Sequence, residues 1–162
     1  MAKLTQEVVD QLNLQIQIEL ESAFIYKALS QWCSERGYTN SSKLFYEQQL
    51  EEQKHADKIL KYIDNRNMSA EIPEISKPDM ELLTLVDVYK EAFKHEVYVT
   101  HTYNELCDYL ISIKDYITFN LAQWFANEQI EEEGYFMPLL DQVIQMGDTN
   151  TGLMLFDKEL EI

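Results

Sequence analysis

Hydrophobic and polar positions recur along this chain in steps of three and four, in four long stretches. From Leu12 the core-spaced positions are Leu12, Ile16, Glu19, Ala23, Tyr26, Ser30 and Cys33. A second stretch reads Phe45, Gln48, Glu52, His55, Ile59 and Tyr62, and a third Val86, Tyr89, Phe93, Glu96, Thr100, Tyr103, Cys107 and Leu110. The fourth reads Ala122, Phe125, Gln129, Glu132, Phe136, Leu139, Val143 and Met146. Such steps keep each set on one face of an α-helix. Each stripe is apolar or small toward its ends and strongly polar in its middle.

The breaks between stretches set the connectivity. Ser34 to Asn40, with Gly37, is short, so the first two helices are expected to pack antiparallel. Asn67 to Asp79 holds Pro73 and Pro78 and no helical period. Its dozen or so residues reach about 40 Å when extended, the length of a helix of roughly 27 residues. It therefore predicts a crossover running the length of the bundle into a third helix parallel to the second. Asp79 and Glu81 are expected at the N-terminus of that third helix, as cap and dipole partner. Ser112 to Asp115 returns the chain into the fourth helix. Gly147 closes it, and Thr149 or Asn150 is expected to cap a short fifth helix bearing Leu153, Leu155, Phe156 and Leu160. The pattern thus predicts one all-α domain over residues 1–162, with a four-helix bundle over about 5–146 and a short fifth helix over about 149–160. Pro138 lies inside the fourth helix and removes the amide that would bond the carbonyl of Gly134, so a kink is expected between them.

The polar middles of the stripes repeat. Glu19 is followed 33 positions later by Glu52, and Glu96 by Gln129 at the same spacing; the two sets lie 77 positions apart. Tyr26 and Tyr103 each follow the first glutamate of their half by seven. Folded as helices, the halves bring Glu19, Glu52, His55, Glu96, Gln129 and Glu132 to one level of a bundle. Burying carboxylates without partners costs several kcal/mol per ion, and no arginine or lysine lies on these stripes to pair with them. A bound multivalent cation is the direct remedy, and carboxylates with one imidazole suit iron, manganese or zinc. Glu52-x-x-His55 on one helix turn, completed by a glutamate from a neighbouring helix, is the recurring unit of di-metal sites in bundles. The second half has Gln129 where the first has Glu52 and Glu132 where it has His55, so its site is all-oxygen and looser. That suits a metal that comes and goes.

Composition narrows the function classes. Twenty-nine acidic and 13 basic residues give a net charge of -16, which argues against nucleic acid or anionic lipid as partners and favours attraction of cations. No apolar run approaches the eighteen or so residues of a membrane span, and the N-terminus has no secretion-signal core. Cys33 and Cys107 form no CxxC or finger pattern and are expected to pack as reduced thiols, consistent with a cytoplasmic location.

Several other residues have two readings. Tyr26 can hydrogen-bond a ligand or donate an electron, although a packed core aromatic needs neither role. Trp124 is either redox-active or simply packed, and packing is the expectation. His95 and His101 lie off the Glu96 stripe and are expected at the surface or an interface. Glu47, Glu51, Glu128 and Glu131 fall beside the seam, on a flank that either faces a cavity or is a solvated acidic face.

Glu19 with Tyr26, Glu52-x-x-His55, Lys94-His95-Glu96, Asn127 to Glu133 and the tail Gly152 to Leu160 together resemble the bacterial non-haem ferritins, in order and over nearly the whole chain. The resemblance implies a ferritin-like bundle and a ferroxidase that oxidises Fe(II) with dioxygen or hydrogen peroxide. It also implies a hollow homo-oligomeric shell of twenty-four subunits that stores the ferric product as mineral, with the fifth helix around the shell's four-fold axis. By that likeness Glu19, Glu52 and His55 hold one iron and Glu52, Glu96 and Glu132 the other, with Gln129 and Tyr26 beside them. Glu51, Glu128 and Glu131, with Glu132, would form an adjoining third iron site. Bacterioferritins resemble this fold but carry a second Glu-x-x-His and a haem-binding Met after the bridging Glu. Gln129-x-x-Glu132 and Gln53 stand in those places, so haem is not expected. The rival from another class is a di-iron peroxidase of the rubrerythrin kind, which typically adds a Cys-x-x-Cys module and further symmetric ligands. A metal-free helical scaffold leaves the polar level unexplained.

Overall fold

Helix boundaries in the computed structural model, which describes residues 4–161, follow from local capping chemistry. The helices are α1 (Gln6–Glu35), α2 (Thr39–Asn65), α3 (Leu85–Ser112), α4 (Tyr116–Met146) and α5 (Asn150–Glu159), with no strand among the described residues. Thr5 accepts the amide of Val8 at the start of α1, and Asp115 accepts that of Thr118 at the start of α4. Thr149 does the same for Gly152 in α5. Gly37 and Gly147 take φ of 81° and 75°, the left-handed region where glycine carries no Cβ penalty. The first lies in the tight α1–α2 turn and the second ends α4.

The start of α3 corrects the sequence expectation. The cap is Thr84, not Asp79, and Glu81 lies outside the helix. Thr84 Oγ1 accepts the Asp87 amide at 3.3 Å, and Asp87 Oδ2 accepts the Thr84 amide at 2.8 Å and the Leu83 amide at 3.2 Å. This reciprocal box satisfies donors at both positions. Asp79 has Leu82 three residues on and cannot form one. The crossover therefore runs to the cap at Thr84, five residues beyond Asp79.

Its path fixes the topology. The Glu71 amide donates to Asn13 near the start of α1, and Trp32 Nε1 near the end of α1 donates to the Leu82 carbonyl. The crossover thus travels along α1 and delivers α3 beside the start of α2, where Tyr89 and Ser41 hydroxyls lie 3.0 Å apart. Helices α2 and α3 consequently run parallel, while α1–α2 and α3–α4 are the antiparallel hairpins. Helix α4 is continuous from Tyr116 to Met146, with Pro138 inside it. No helix among the described residues is long and apolar enough to cross a membrane.

The core is split in two. Tyr26, Leu29, Phe45, Tyr89 and Phe136 pack together with Leu153, Phe156 and Leu160 of α5 at one end. Leu12, Ile16, Ile59, Tyr103, Leu106 and Phe125 fill the other. The polar level lies between them. Helix α5 is held by more than its apolar face: both Asp157 oxygens accept amides at the N-terminus of α2, from Ser41 at 2.7 Å and Asn40 at 3.2 Å. Tyr38 gives α2 no side-chain cap, so Asp157 supplies it from 116 residues away. Leu155, expected among the apolar contacts of α5, is exposed.

Candidate metal centre

Four helices each deliver a polar side chain to the same buried level. Glu19 from α1, Glu52 and His55 from α2, Glu96 from α3 and Gln129 from α4 are each no more than 4% exposed. Glu132, one turn beyond Gln129, is half-buried. Ligand atoms of Glu19, Glu52 and His55 lie within 4.8 Å of one another, and among the described residues only this group gathers so closely. His55 Nδ1 is 3.2 Å from Glu52 Oε2 and 3.4 Å from Glu19 Oε2. Glu19 Oε2 and His55 Nε2 are buried with no hydrogen-bond partner. Uncompensated polar atoms are rare in native interiors and call for an explanation. Two carboxylates and one imidazole converging on a point fit a divalent first-row cation.

The second half is organised differently. Glu96 accepts the Tyr26 hydroxyl on one oxygen and Gln129 Nε2 on the other, the latter at 2.9 Å. Gln129 Nε2 also lies 3.2 Å from the Glu96 carbonyl. Glu132 Oε2 accepts from Gln48 Nε2 of α2 at 2.7 Å. The two tyrosines cross: Tyr26 of the first half bonds Glu96 of the second, and Tyr103 of the second bonds Glu19 of the first. Seven-residue spacing puts each tyrosine two turns along its own helix, within reach of the glutamate on the antiparallel neighbour.

The electrostatics follow from crowding acids in a dry layer. Burial pulls His55 toward the neutral form, but the adjacent Glu19 and Glu52 carboxylates outweigh it and raise its pKa to about 11. Burial lifts Glu52 well above the ordinary carboxylate range; the His55 contact opposes this, and the charges of Glu19 and Glu96 reinforce it. Glu96 is raised to about 7, first by burial and then by repulsion from Glu132, against the hydrogen bonds of Tyr26 and Gln129. Glu132 is also raised by burial, with Gln48 opposing. Burial and the nearby acids likewise push the Tyr26 and Tyr103 hydroxyls up. An extra positive charge at this level relieves every one of the carboxylate shifts.

The flanking residues are more dispersed. Glu51 pairs with Lys54 at 2.7 Å, Glu128 is half-buried, and Glu47 and Glu131 are exposed. Glu131, Glu132, Gln48 and Tyr135 line a cleft of about 320 Å³ at the α2–α4 seam. Trp124 packs edge-on to His55 with Lys58 Nζ 3.2 Å above its ring. His101 is at the surface, 3.3 Å from Glu105. His95 is not a surface residue: it is half-buried, edge-on to Tyr26, with Nε2 2.6 Å from Ser22 Oγ. Ser22 donates to the Ile18 carbonyl, so the network assigns the proton to His95 Nε2. Burial lowers its pKa to about 4. Sequence reasoning placed Gln48 on the second stripe without assigning it a partner, and passed over Ser22 entirely. The one available signal was the position of Gln48, a single turn before Glu52 on the same face.

A mid-height carboxylate–histidine group in a bundle with a long crossover defines a helical-bundle protein with a buried group that could hold a metal ion. The comparisons are more specific. The Ferritin family, described as a ferritin-like domain, matches residues 9–146. The bacterial non-heme ferritin of Campylobacter jejuni is 33% identical over 158 residues, 98% of this chain and 95% of that protein. A probable bacterial non-heme ferritin-like protein of Haemophilus influenzae is 34% identical over 97% of this chain and 95% of its own length. Among solved structures, an open-pore ferritin of Archaeoglobus fulgidus aligns with a TM-score of 0.92 at 27% identity over 97% of both chains. This chain belongs to the ferritin family.

Proposed function

We propose that the protein stores iron. It oxidises Fe(II) at the buried polar level and retains the ferric product as mineral inside a shell of twenty-four copies, in the cytoplasm. The observation that carries this reading is the convergence of Glu19, Glu52 and His55 opposite Glu96, Gln129 and Glu132, in a chain whose relatives are named ferritins. Glu19, Glu52 and His55 would hold one Fe(II), and Glu52, Glu96 and Glu132 the second, with Glu52 between them. Two Fe(II) ions each give up one electron, and together these reduce dioxygen to peroxide or peroxide to water. Tyr26 and Tyr103 orient the carboxylates they bond, and the apolar clusters above and below keep bulk water from the level. Glu51, Glu128 and Glu131, with Glu132, would hold a third iron adjoining the centre. The net charge of -16 favours delivery of cations over anions.

The test is aerobic addition of Fe(II), following oxidation by absorbance and sizing the product. Storage predicts many irons retained per subunit in a large shell; about two per subunit with substrate turnover indicates a redox enzyme, and none a scaffold. Glu52→Ala and His55→Ala should each slow the initial rate at least about a hundredfold, in line with loss of a metal-holding group. Wild-type initial rates in both would remove these residues from the centre.

A further inference from the structure

Gln48 is a neutral side chain between the metal level and the α2–α4 cleft. It lies one turn before Glu52 on the same face of α2, and its Nε2 spans to α4 to donate to Glu132 Oε2 at 2.7 Å. Glu132 is thereby held against the wall of the cleft that Gln48, Glu131 and Tyr135 complete, and outside the close Glu19–Glu52–His55 group. Gln129, the other α4 side chain of the level, is tied elsewhere, to Glu96 of α3. Glu132 is the half-buried member of the set and lines the cleft.

We propose that Gln48 is a positioning residue that latches Glu132 in its cleft-facing place, so that a divalent cation entering the second site must break this bond to recruit Glu132. The latch weakens the second site relative to the first and makes the Gln48–Glu131–Glu132–Tyr135 cleft the route by which the second cation arrives and leaves. The inference rests on the metal-centre reading above. It differs from that reading in making the second site's affinity depend on a residue that is not a ligand.

The probe is Co(II), which is redox-inert under anaerobic conditions and reports its coordination through visible absorbance. The assembled wild-type protein should titrate in two steps per subunit. Removing the donor in Gln48→Met should leave the first step in place and tighten the second about tenfold, the worth of one hydrogen bond to a charged carboxylate. In a Glu132→Ala background, which has no acceptor, the same substitution should change nothing, since the bond acts only through Glu132. Gln48→Ala, which also lacks the donor and suits a helix, carries the same expectation if the Met variant fails to assemble. An unchanged second step in either variant, or an equal shift in the Glu132→Ala background, overturns the latch while leaving the centre standing. Absence of Co(II) uptake by the wild-type protein overturns the centre itself.

Discussion

Replacing Glu96 by glutamine should stabilise the metal-free protein and destabilise the metal-loaded one. Glu96 is 1% exposed, and its carboxyl is raised from 4.5 to about 7 by burial and by the charge of Glu132. Between these values the folded chain holds a proton that the unfolded chain has released, so stability falls as pH rises across the window and levels off above it. At about 1.4 kcal/mol per pH unit, the cost reaches about 3 kcal/mol at pH 7. Glutamine has no such term. It does disturb Gln129, whose Nε2 donates to Glu96 Oε2 at 2.9 Å and lies 3.2 Å from the Glu96 carbonyl. Turning the Gln129 amide to face a new NH2 group forfeits the carbonyl contact, about 1 kcal/mol.

The net gain is about 2 kcal/mol, which for a chain of this size is about 4–8 °C in apparent Tm. It should be absent at pH 4.5 and grow toward pH 7. With saturating Zn(II), which binds without redox chemistry, the order reverses. The wild type gains about 2.7 kcal/mol at a hundredfold excess over Kd, and the variant has lost an anionic ligand. Near-UV circular dichroism melts of chelator-treated protein from pH 4.5 to 8, with and without Zn(II), measure all of this. A metal-free variant no more stable than wild type at pH 7, or an advantage that stays flat with pH, would refute the reasoning.

Two further perturbations probe how the parts are tied together. Asp157→Ala removes the carboxylate that accepts the Ser41 and Asn40 amides, so α5 should loosen by about 2–3 kcal/mol, as for charged hydrogen bonds to backbone. Hydrogen exchange of the α5 amides should rise by about two orders of magnitude; unchanged protection would show that its apolar face alone holds it. Tyr103→Phe should weaken the first metal step through Glu19, and Tyr26→Phe the second through Glu96, each by about tenfold. Stepwise Zn(II) titrations in which each tyrosine affects the site of its own half would contradict the crossed pairing.

The bundle was legible because its signals are local and redundant. Glu19, Glu52, His55, Glu96 and Gln129 sit at the centres of stripes whose ends are apolar, so any packing that buries the ends also buries them. Gly37 and Gly147 mark turns by their backbone freedom, and Thr149 caps α5 as its residue type predicts. The misreadings share a physical origin. Asp79 and Thr84 are both acceptable caps by residue type, and the choice rests on a partner three residues on, Asp87 against Leu82. His95 is one position off the Glu96 stripe, where a helix points to its neighbour α1, and its burial depends on Ser22 accepting its proton across the seam. The crossed tyrosines and the Gln48–Glu132 bond are inter-helix contacts, invisible to a period read along one helix. Asp157, on an otherwise apolar stretch of α5, shows its role only when α5 is laid against the N-terminus of α2.

The repeat at 77 positions should therefore preserve layout but not binding strength. In the first half His55 Nδ1 already faces Glu52 and Glu19 at 3.2 and 3.4 Å, while Glu19 Oε2 has no hydrogen bond to give up. A cation arriving there displaces the His55 proton and breaks little else. In the second half one Glu96 oxygen is committed to Gln129, and Glu132 to Gln48. A cation there must dismantle bonds worth about 1 kcal/mol or more each before it gains its own. The same bonds re-form when it leaves, so exit costs less than it would from a site with orphaned ligands. Filling should be ordered, first half before second, and the second site should empty first. A permanent di-metal cofactor calls for two deep wells; a centre that passes oxidised metal onward needs one deep and one shallow, side by side, which is the arrangement these hydrogen bonds build.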